Sequence, residues 1–351
     1  MDNLYKIIEN FKIDSRVKVI NPINSGLINK TYLVETENHA PDYILQKKNR
    51  SVFPNIPAMT DNIVKITEHI KKKIIKEGGD TEREVITMIL SKEDKPYYLD
   101  KEGDYWTLCK FIPDTVSYDF VRTNEQARKG GEAIGKFQRQ LEDFTEPLYP
   151  TIEGFHDLKY RFNQWDEILR TGNQSRIEKV SKEIAWVEKR REKMVAFWNL
   201  VEDGSLPKRI THNDTKLSNI LFDRDGDVLC VIDLDTVMNN TPLADYGDAI
   251  RSFANTGAED DINLQNVNFD IEKYKAYTQG YLSQVKDMLN DTEKKYLHFA
   301  PQYITYEQIL RFLMDYIDND KYYKIDYPEH NLIRTRAQMK LLESMEEYLN
   351  K

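Results

Sequence analysis

The run Ile210-Thr211-His212-Asn213-Asp214-Thr215-Lys216-Leu217-Ser218-Asn219-Ile220-Leu221-Phe222, followed shortly by Val231-Ile232-Asp233-Leu234-Asp235, carries the densest chemistry in the chain. Asp214 and Asn219 stand five residues apart in a polar loop that runs into the β-branched and aromatic segment Ile220 to Phe222. Asp223-Arg224-Asp225-Gly226-Asp227 then predicts a turn, and Val228 to Ile232 a returning strand that ends at Asp233. One carboxylate, one amide and a second carboxylate are thereby expected at one edge of a small ribbon. Phosphoryl transfer uses such a set: a carboxylate to orient and deprotonate the attacking hydroxyl, and an amide with a carboxylate to hold Mg²⁺ on the phosphates. Lys216, two residues after Asp214, is a cation placed to reach the moving phosphate. Alone, Asp214 would read as a loop cap and His212 as a hydrogen-bonding support. With Asn219 and Asp233 in place, Asp214 points to chemistry, while His212 still reads as a support of the loop.

Outward from this stretch, the first part of the chain predicts a small sheet. Val17 to Ile20, Thr31 to Thr36 and Tyr43 to Gln46 are strand candidates, the first two separated by the turn formers Asn21 to Gly26. Ile63, Ile66, Ile70 and Ile74 mark a helix face with Asp61 as its expected N-cap. Tyr97 to Leu99 and Tyr105 to Ile112 flank a five-residue hairpin loop, Asp100 to Asp104. After Pro113-Asp114 the pattern turns helical. Ala127, Ile134, Phe137 and Leu141 share a face despite Gly130-Gly131, and a charged helix is expected from Arg176 to Leu200.

Composition narrows the class. The 351 residues suit two lobes better than one small domain, and 40% hydrophobic residues suffice for a core. Fifty basic against 59 acidic residues leave a net charge of -9, which argues against a general nucleic-acid-binding surface. Stretches free of Asp, Glu, Lys and Arg reach only 11 residues, as from Tyr296 to Tyr306, too short to span a membrane. No signal peptide is read at the N-terminus. Cys109 and Cys230 are too few for a disulfide framework. The expectation is a soluble, cytoplasmic protein with no membrane, nucleic-acid or obligate protein partner.

His212-Asn213-Asp214-x-Lys216-x-x-Asn219 resembles the catalytic loop of protein kinases, with Asn213 in place of Arg, and Ile232-Asp233-x-Asp235 stands where they have Asp-Phe-Gly. This combination is similar to the aminoglycoside phosphotransferase and choline kinase family. Gly26-Leu27-Ile28-Asn29-Lys30-Thr31-Tyr32, Ile44-Leu45-Gln46, Phe155-His156-Asp157, Ile232 to Met238 and Arg311-Phe312-Leu313-x-Asp315-Tyr316 further resemble the N-acetylhexosamine 1-kinases over nearly the whole chain. The resemblance implies an α+β, bilobal, protein-kinase-like fold. It assigns residues 1–112 to a nucleotide-binding lobe, residues 113–351 to a helical lobe with the catalytic loop and acceptor pocket, and a hinge to the region of Phe111 to Asp114.

It also implies an ATP- and Mg²⁺-dependent sugar kinase. Asp214 and Lys216 would be catalytic, with Asp214 also touching the acceptor. Asn219 and Asp233 would be metal ligands. Gly26, Asn29, Lys30, Lys48, Lys110 and Ile112 would lie on the nucleotide, and Arg311 and Tyr322 on the acceptor, an N-acetylhexosamine phosphorylated at its 1-hydroxyl. The chain departs from the pattern in its single loop glycine, Gly26, and in Gln46, which stands where protein kinases carry a strand lysine. Lys30 or Lys48 would supply that charge, with Glu68 as a candidate helix partner. Three alternatives stay open: a kinase of another small alcohol (aminoglycoside, choline or homoserine type), a metal-dependent hydrolase built on His212, Asp214, Asp233 and Asp235, and an inactive kinase fold that only binds.

Overall fold

A computed structural model describes residues 2–23, 28–38 and 40–350. Gly26 and Leu27, where the nucleotide loop is expected, lie outside the described residues. In chain order the elements are α1 (Asp2–Ile8), β1 (Val17–Ile23), β2 (Lys30–Thr36), β3 (Tyr43–Lys47), α2 (Ile56–Glu77), β4 (Met88–Ile89), β5 (Tyr98–Leu99), β6 (Tyr105–Lys110), α3 (Asn124–Gln140), α4 (Leu158–Thr171), α5 (Gln174–Lys179), α6 (Ser181–Glu202), β7 (Arg209–Thr211), β8 (Ile220–Phe222), β9 (Val228–Val231), β10 (Met238–Asn240), α7 (Pro242–Phe253), α8 (Ile271–Val285), α9 (Asp291–Tyr296), α10 (Ala300–Ile317) and α11 (His330–Leu349). The architecture is mixed α+β, with strands concentrated in the first third and helices after it. No described helix is long and apolar enough to cross a membrane.

The chain forms two compact units. The first holds residues 1–117, 140–153 and 219–239. Its antiparallel sheet runs β1-β2-β3-β6-β4, with β5 paired to β6. Ile20, Val34, Tyr43, Leu45, Trp106 and Leu108 share one buried cluster with Ile7, Ile8 and Phe11, the last three contributed by α1 and the turn after it. Strand β1 continues through Pro22 and Ile23, where sequence alone predicts a turn. Pro22 pairs opposite Tyr32, and it is tolerated because β1 is an edge strand, where a missing N–H breaks no ladder. Helix α2 begins at Ile56 and not near Asp61. The Asn55 side chain accepts the Ala58 N–H, and Pro57 sits in the first turn, where its missing N–H removes no helical bond. The expected face is buried at Ile63, Ile66, Ile70 and Ile74. The β8–β9 hairpin belongs to this unit and is tied to it by reciprocal backbone bonds between Val116 and Phe222, 2.8 and 2.9 Å.

The second unit holds residues 118–139, 154–218 and 240–351. Helix α10 is buried almost all round and packs on α11, α7 and α4, which explains the long uncharged stretch at its start. The predicted charged helix is divided into α5 and α6 at Val180, whose side chain is buried. Asp245, which its place before Tyr246-Gly247-Asp248 suggests as a helix cap, does not cap α7: Thr241 does so, accepting the Leu243 N–H, while Asp245 lies inside the first turn, fully buried.

Candidate active site

In the first unit, Asn219 ends a short 3₁₀ turn (Leu217–Asn219) directly before β8, and Asp233 follows β9. The Ile232 N–H donates to the Asn219 carbonyl at 2.9 Å, so the two backbone positions that carry the amide and the carboxylate are neighbours at the open end of the hairpin. Asp233 has φ 63° and ψ 56°, a left-handed conformation that costs a non-glycine residue on the order of 1 kcal/mol or more and persists only where its surroundings enforce it.

The same unit settles which charge stands near Gln46. Lys48 follows β3, fixed by its N–H to the Tyr105 carbonyl (2.9 Å), and its side chain is only 3% exposed. The ammonium donates to both oxygens of Asp235 (2.7 and 2.8 Å) and to Gln46 Oε1 (2.7 Å). Asn29 Nδ2 donates to Asp235 Oδ2 at 2.7 Å, while Asn29 Oδ1 accepts the Asn49 N–H. Glu68, the candidate helix partner, is instead paired with Lys71 one turn along α2 near the surface. Lys48 and its carboxylate lie 187 positions apart in sequence, so no local pattern pairs them. Lys30 is exposed on β2, and the Lys110 ammonium is held by Glu82. Ile112 is buried, and its carbonyl accepts Thr115 Oγ1 at 3.1 Å.

In the second unit, the loop after β7 is held from several sides. Asp245 accepts the backbone N–H groups of His212 (3.0 Å) and Asn213 (2.7 Å) and the Gln138 amide (2.9 Å). Burial pushes the Asp245 carboxyl above its ordinary range, against the pull of these donors. Asp248 accepts the Thr215 N–H at 2.8 Å. Asn213 sits at φ 65°. The Asp214 N–H donates to His212 Nδ1 at 3.2 Å, so His212 carries a lone pair on that nitrogen, and its ring packs edge-on against Phe137. Lys216 Nζ lies 3.0 Å from Asp214 Oδ2, both side chains partly exposed.

Arg311 lies on α10, with its guanidinium 5.7, 5.8 and 5.5 Å from the ring centres of Phe155, Tyr322 and Tyr323. Tyr322 is 53% exposed, so one face of this cluster is open. Phe155 packs at a tilt against His156 (4.2 Å between ring centres), and His156 Nε2 lies 3.3 Å from the Asn213 carbonyl, next to Asp214. Sequence reasoning singled out Asp214, Lys216, Arg311 and Tyr322 here, but neither the Asp245 and Asp248 braces nor the partner of His156. Among the described residues, no group of three or more His, Cys, Asp or Glu side chains is arranged to hold a metal ion.

Solved structures share this fold. A spectinomycin phosphotransferase crystallised with ADP and spectinomycin matches at TM-score 0.62 and 14% identity, over 99% of this chain and 98% of that one. A microcompartment-associated aminopropanol kinase matches at 0.65 and 15%, over 99% and 97%. The ethanolamine kinase of Plasmodium vivax matches at 0.55 and 13%, over 95% and 84%. Residues 19–277, which include nearly all of the sheet, Lys48, the Asp214 loop and the Asp233 hairpin, match the model of the phosphotransferase enzyme family (APH). The chain belongs to that family: it is a phosphotransferase with the protein-kinase-like fold.

Proposed function

We propose that this phosphotransferase moves the γ-phosphate of ATP to the anomeric 1-hydroxyl of an N-acetylhexosamine, GlcNAc or GalNAc. Asp214 accepts the proton of the attacking hydroxyl and orients it, and the neighbouring Lys216 presents positive charge to the transferring phosphoryl group. Asn219 and Asp233 offer hard oxygen donors from adjacent backbone positions of one hairpin, which suits Mg²⁺. Bound there, the ion would neutralise charge on the β- and γ-phosphates. Lys48, pre-aimed by Asp235, takes the place of the strand lysine on the nucleotide phosphates, joined by Asn29, which shares Asp235 with it, and by Lys30 and Gly26 on either side of Asn29 in sequence. The adenine meets the backbone near Lys110 and Ile112. In support, no backbone acceptor among the described residues takes the Ile112 N–H, whereas the Phe111 N–H is already committed to Asp42.

The observation that carries the choice of acceptor is Arg311 within its three aromatic rings, joined through Phe155 and His156 to the loop of Asp214. A guanidinium repels an amine-bearing acceptor. It suits a neutral sugar, offering several donors to ring and amide oxygens, while Tyr322 and Phe155 offer faces for the pyranose. The test is ATP consumption with GlcNAc, GalNAc, neutral sugars, ethanolamine, choline, homoserine and aminoglycosides, with the product located by ³¹P NMR. A 1-phosphate of GlcNAc or GalNAc is expected, and Arg311→Ala raises the sugar KM while leaving the ATP KM unchanged. If both N-acetyl sugars are inert while another alcohol is turned over, the acceptor is wrong.

A further inference from the structure

His156 is buried, held at φ 61°, and lies between two groups that only accept hydrogen bonds. Its Nδ1 is 2.6 Å from Glu307 Oε2 on α10, and its Nε2 is 3.3 Å from the Asn213 carbonyl oxygen. A neutral imidazole carries one N–H and one lone pair, so one of these contacts would set lone pair against lone pair in a buried site. With Glu307 ionised, the state that the neighbouring Arg161 and Arg311 charges favour, both are satisfied only when both ring nitrogens carry hydrogen.

The Asn213 carbonyl belongs to the peptide plane that leads into Asp214. At the other end of that plane, the Asp214 N–H donates to His212 Nδ1. Two histidines in opposite states therefore clamp one peptide, His156 donating to its carbonyl and His212 accepting from its N–H. Asn213, whose own N–H is taken by Asp245, is thereby fixed in its left-handed conformation.

We propose that His156 is a positioning residue that works as an imidazolium, bridging the Glu307 carboxylate to the Asn213 carbonyl and so setting the direction of Asp214. Its catalytic consequence rests on the kinase reading above; its protonation state does not.

The charged surroundings agree. From α10, Glu307 favours the cation and Arg311 opposes it; from α7, Asp248 favours it; from α4, Arg161 lies 3.5 Å from Glu307 Oε1. Burial pulls the His156 pKa down, but the Glu307 charge and hydrogen bond together with the Asp248 charge outweigh it, and the net shift is upward from 6.5. For Glu307, burial pushes upward, yet the His156 charge and hydrogen bond, with Arg161 and Arg311, hold the carboxyl down at about 2. The pair thus contributes fully between the ordinary carboxylate and imidazole ranges. It is lost as pH falls towards 2, when Glu307 protonates, and as pH rises through the elevated pKa of His156.

The test begins with ¹⁵N-histidine NMR of the full chain, which needs no activity. At pH 7 one of the six histidines should show both ring nitrogens protonated, and that signal should vanish in His156→Gln. Kinetics follow. The alkaline limb of kcat should track the titration of His156 and move to lower pH in Glu307→Gln, with the ATP KM unchanged. His156→Gln, which sets an amide oxygen against the carboxylate, should lower kcat about ten- to a hundred-fold, as expected for a displaced catalytic group. The His156→Gln/Glu307→Gln double variant can rebuild a neutral amide chain to the Asn213 carbonyl. It should recover kcat and lose the alkaline limb. An unprotonated ring nitrogen on His156 at pH 7 overturns the proposal. So does an alkaline limb that stays in place in Glu307→Gln. If Glu307→Gln fails to fold, the wild-type NMR result still decides.

Discussion

Replacing Lys48 by Met keeps most of the side-chain volume and removes the ammonium that satisfies both oxygens of Asp235. The Asp235 carboxylate, 6% exposed, is then left with the Asn29 amide as its remaining described side-chain donor. Removing one member of a buried pair costs about 3–5 kcal/mol, because the other charge stays desolvated and unpaired. With an unfolding entropy of about 2.1 cal/mol/K per residue over 351 residues, that loss lowers Tm by roughly 4–7 °C. The double variant Lys48→Met/Asp235→Leu removes both charges together and should recover most of the lost stability, since apolar replacement of a buried pair is commonly near neutral. Activity should not recover, because the double variant still lacks the cation proposed to hold the nucleotide phosphates. Calorimetric Tm and coupled ATP consumption on the wild type, both single variants and the double variant complete the cycle. A double variant as unstable as the singles would show that the two charges do not act as a pair. Full turnover in Lys48→Met would remove Lys48 from the nucleotide site.

Asp214→Asn keeps size and hydrogen bonding but removes the proton acceptor. Turnover should fall by about 10² or more, within the 10²–10⁴ range of general-base contributions, while the ATP KM changes little; near-wild-type turnover would exclude the role. Asp233→Ala should abolish Mg²⁺-dependent ATP binding in calorimetry, and retained Mg²⁺-dependent binding would exclude the carboxylate as a metal ligand.

Features written in consecutive residues were legible; those made by distant partners were not. The spacing of Asp214, Lys216 and Asn219 and the turn Asp223 to Asp227 delivered the β8–β9 hairpin, because turn chemistry and β-branched runs act over a few residues. The isoleucine spacing gave the buried face of α2 but misplaced its start, although Asn55 and Pro57 were readable as a cap and a first-turn proline. Pro22 was read as a turn because its tolerance depends on β1 lying at the sheet edge, a fact of topology. The Lys48–Asp235 and His156–Glu307 pairs span 187 and 151 residues. With 59 acidic side chains in the chain, nothing local selects one partner.

Gly130-Gly131 shows the same division with a sign attached. By local propensity a glycine inside α3 is a defect of about 1 kcal/mol relative to Ala, so Gly131→Ala would be a stabilising change. The structure reverses that expectation. A Cβ on Gly131 would lie 2.2 Å from the Tyr277 carbonyl oxygen, and one on Gly280 of α8 would lie 1.9 Å from the Arg128 carbonyl oxygen. Both obstacles are helix backbone, which cannot swing aside as a side chain can. The two helices must separate, straining the contact between Gln138 and the buried Tyr281 hydroxyl, now 2.7 Å apart. Overpacking of this kind costs about 1–3 kcal/mol and sometimes more, against a propensity gain of about 1. Gly131→Ala and Gly280→Ala are therefore both expected to lower Tm, read by calorimetry, with Gly280→Ala at least as severe because its contact is shorter. A rise in Tm for either variant would refute a backbone-close crossing of α3 and α8.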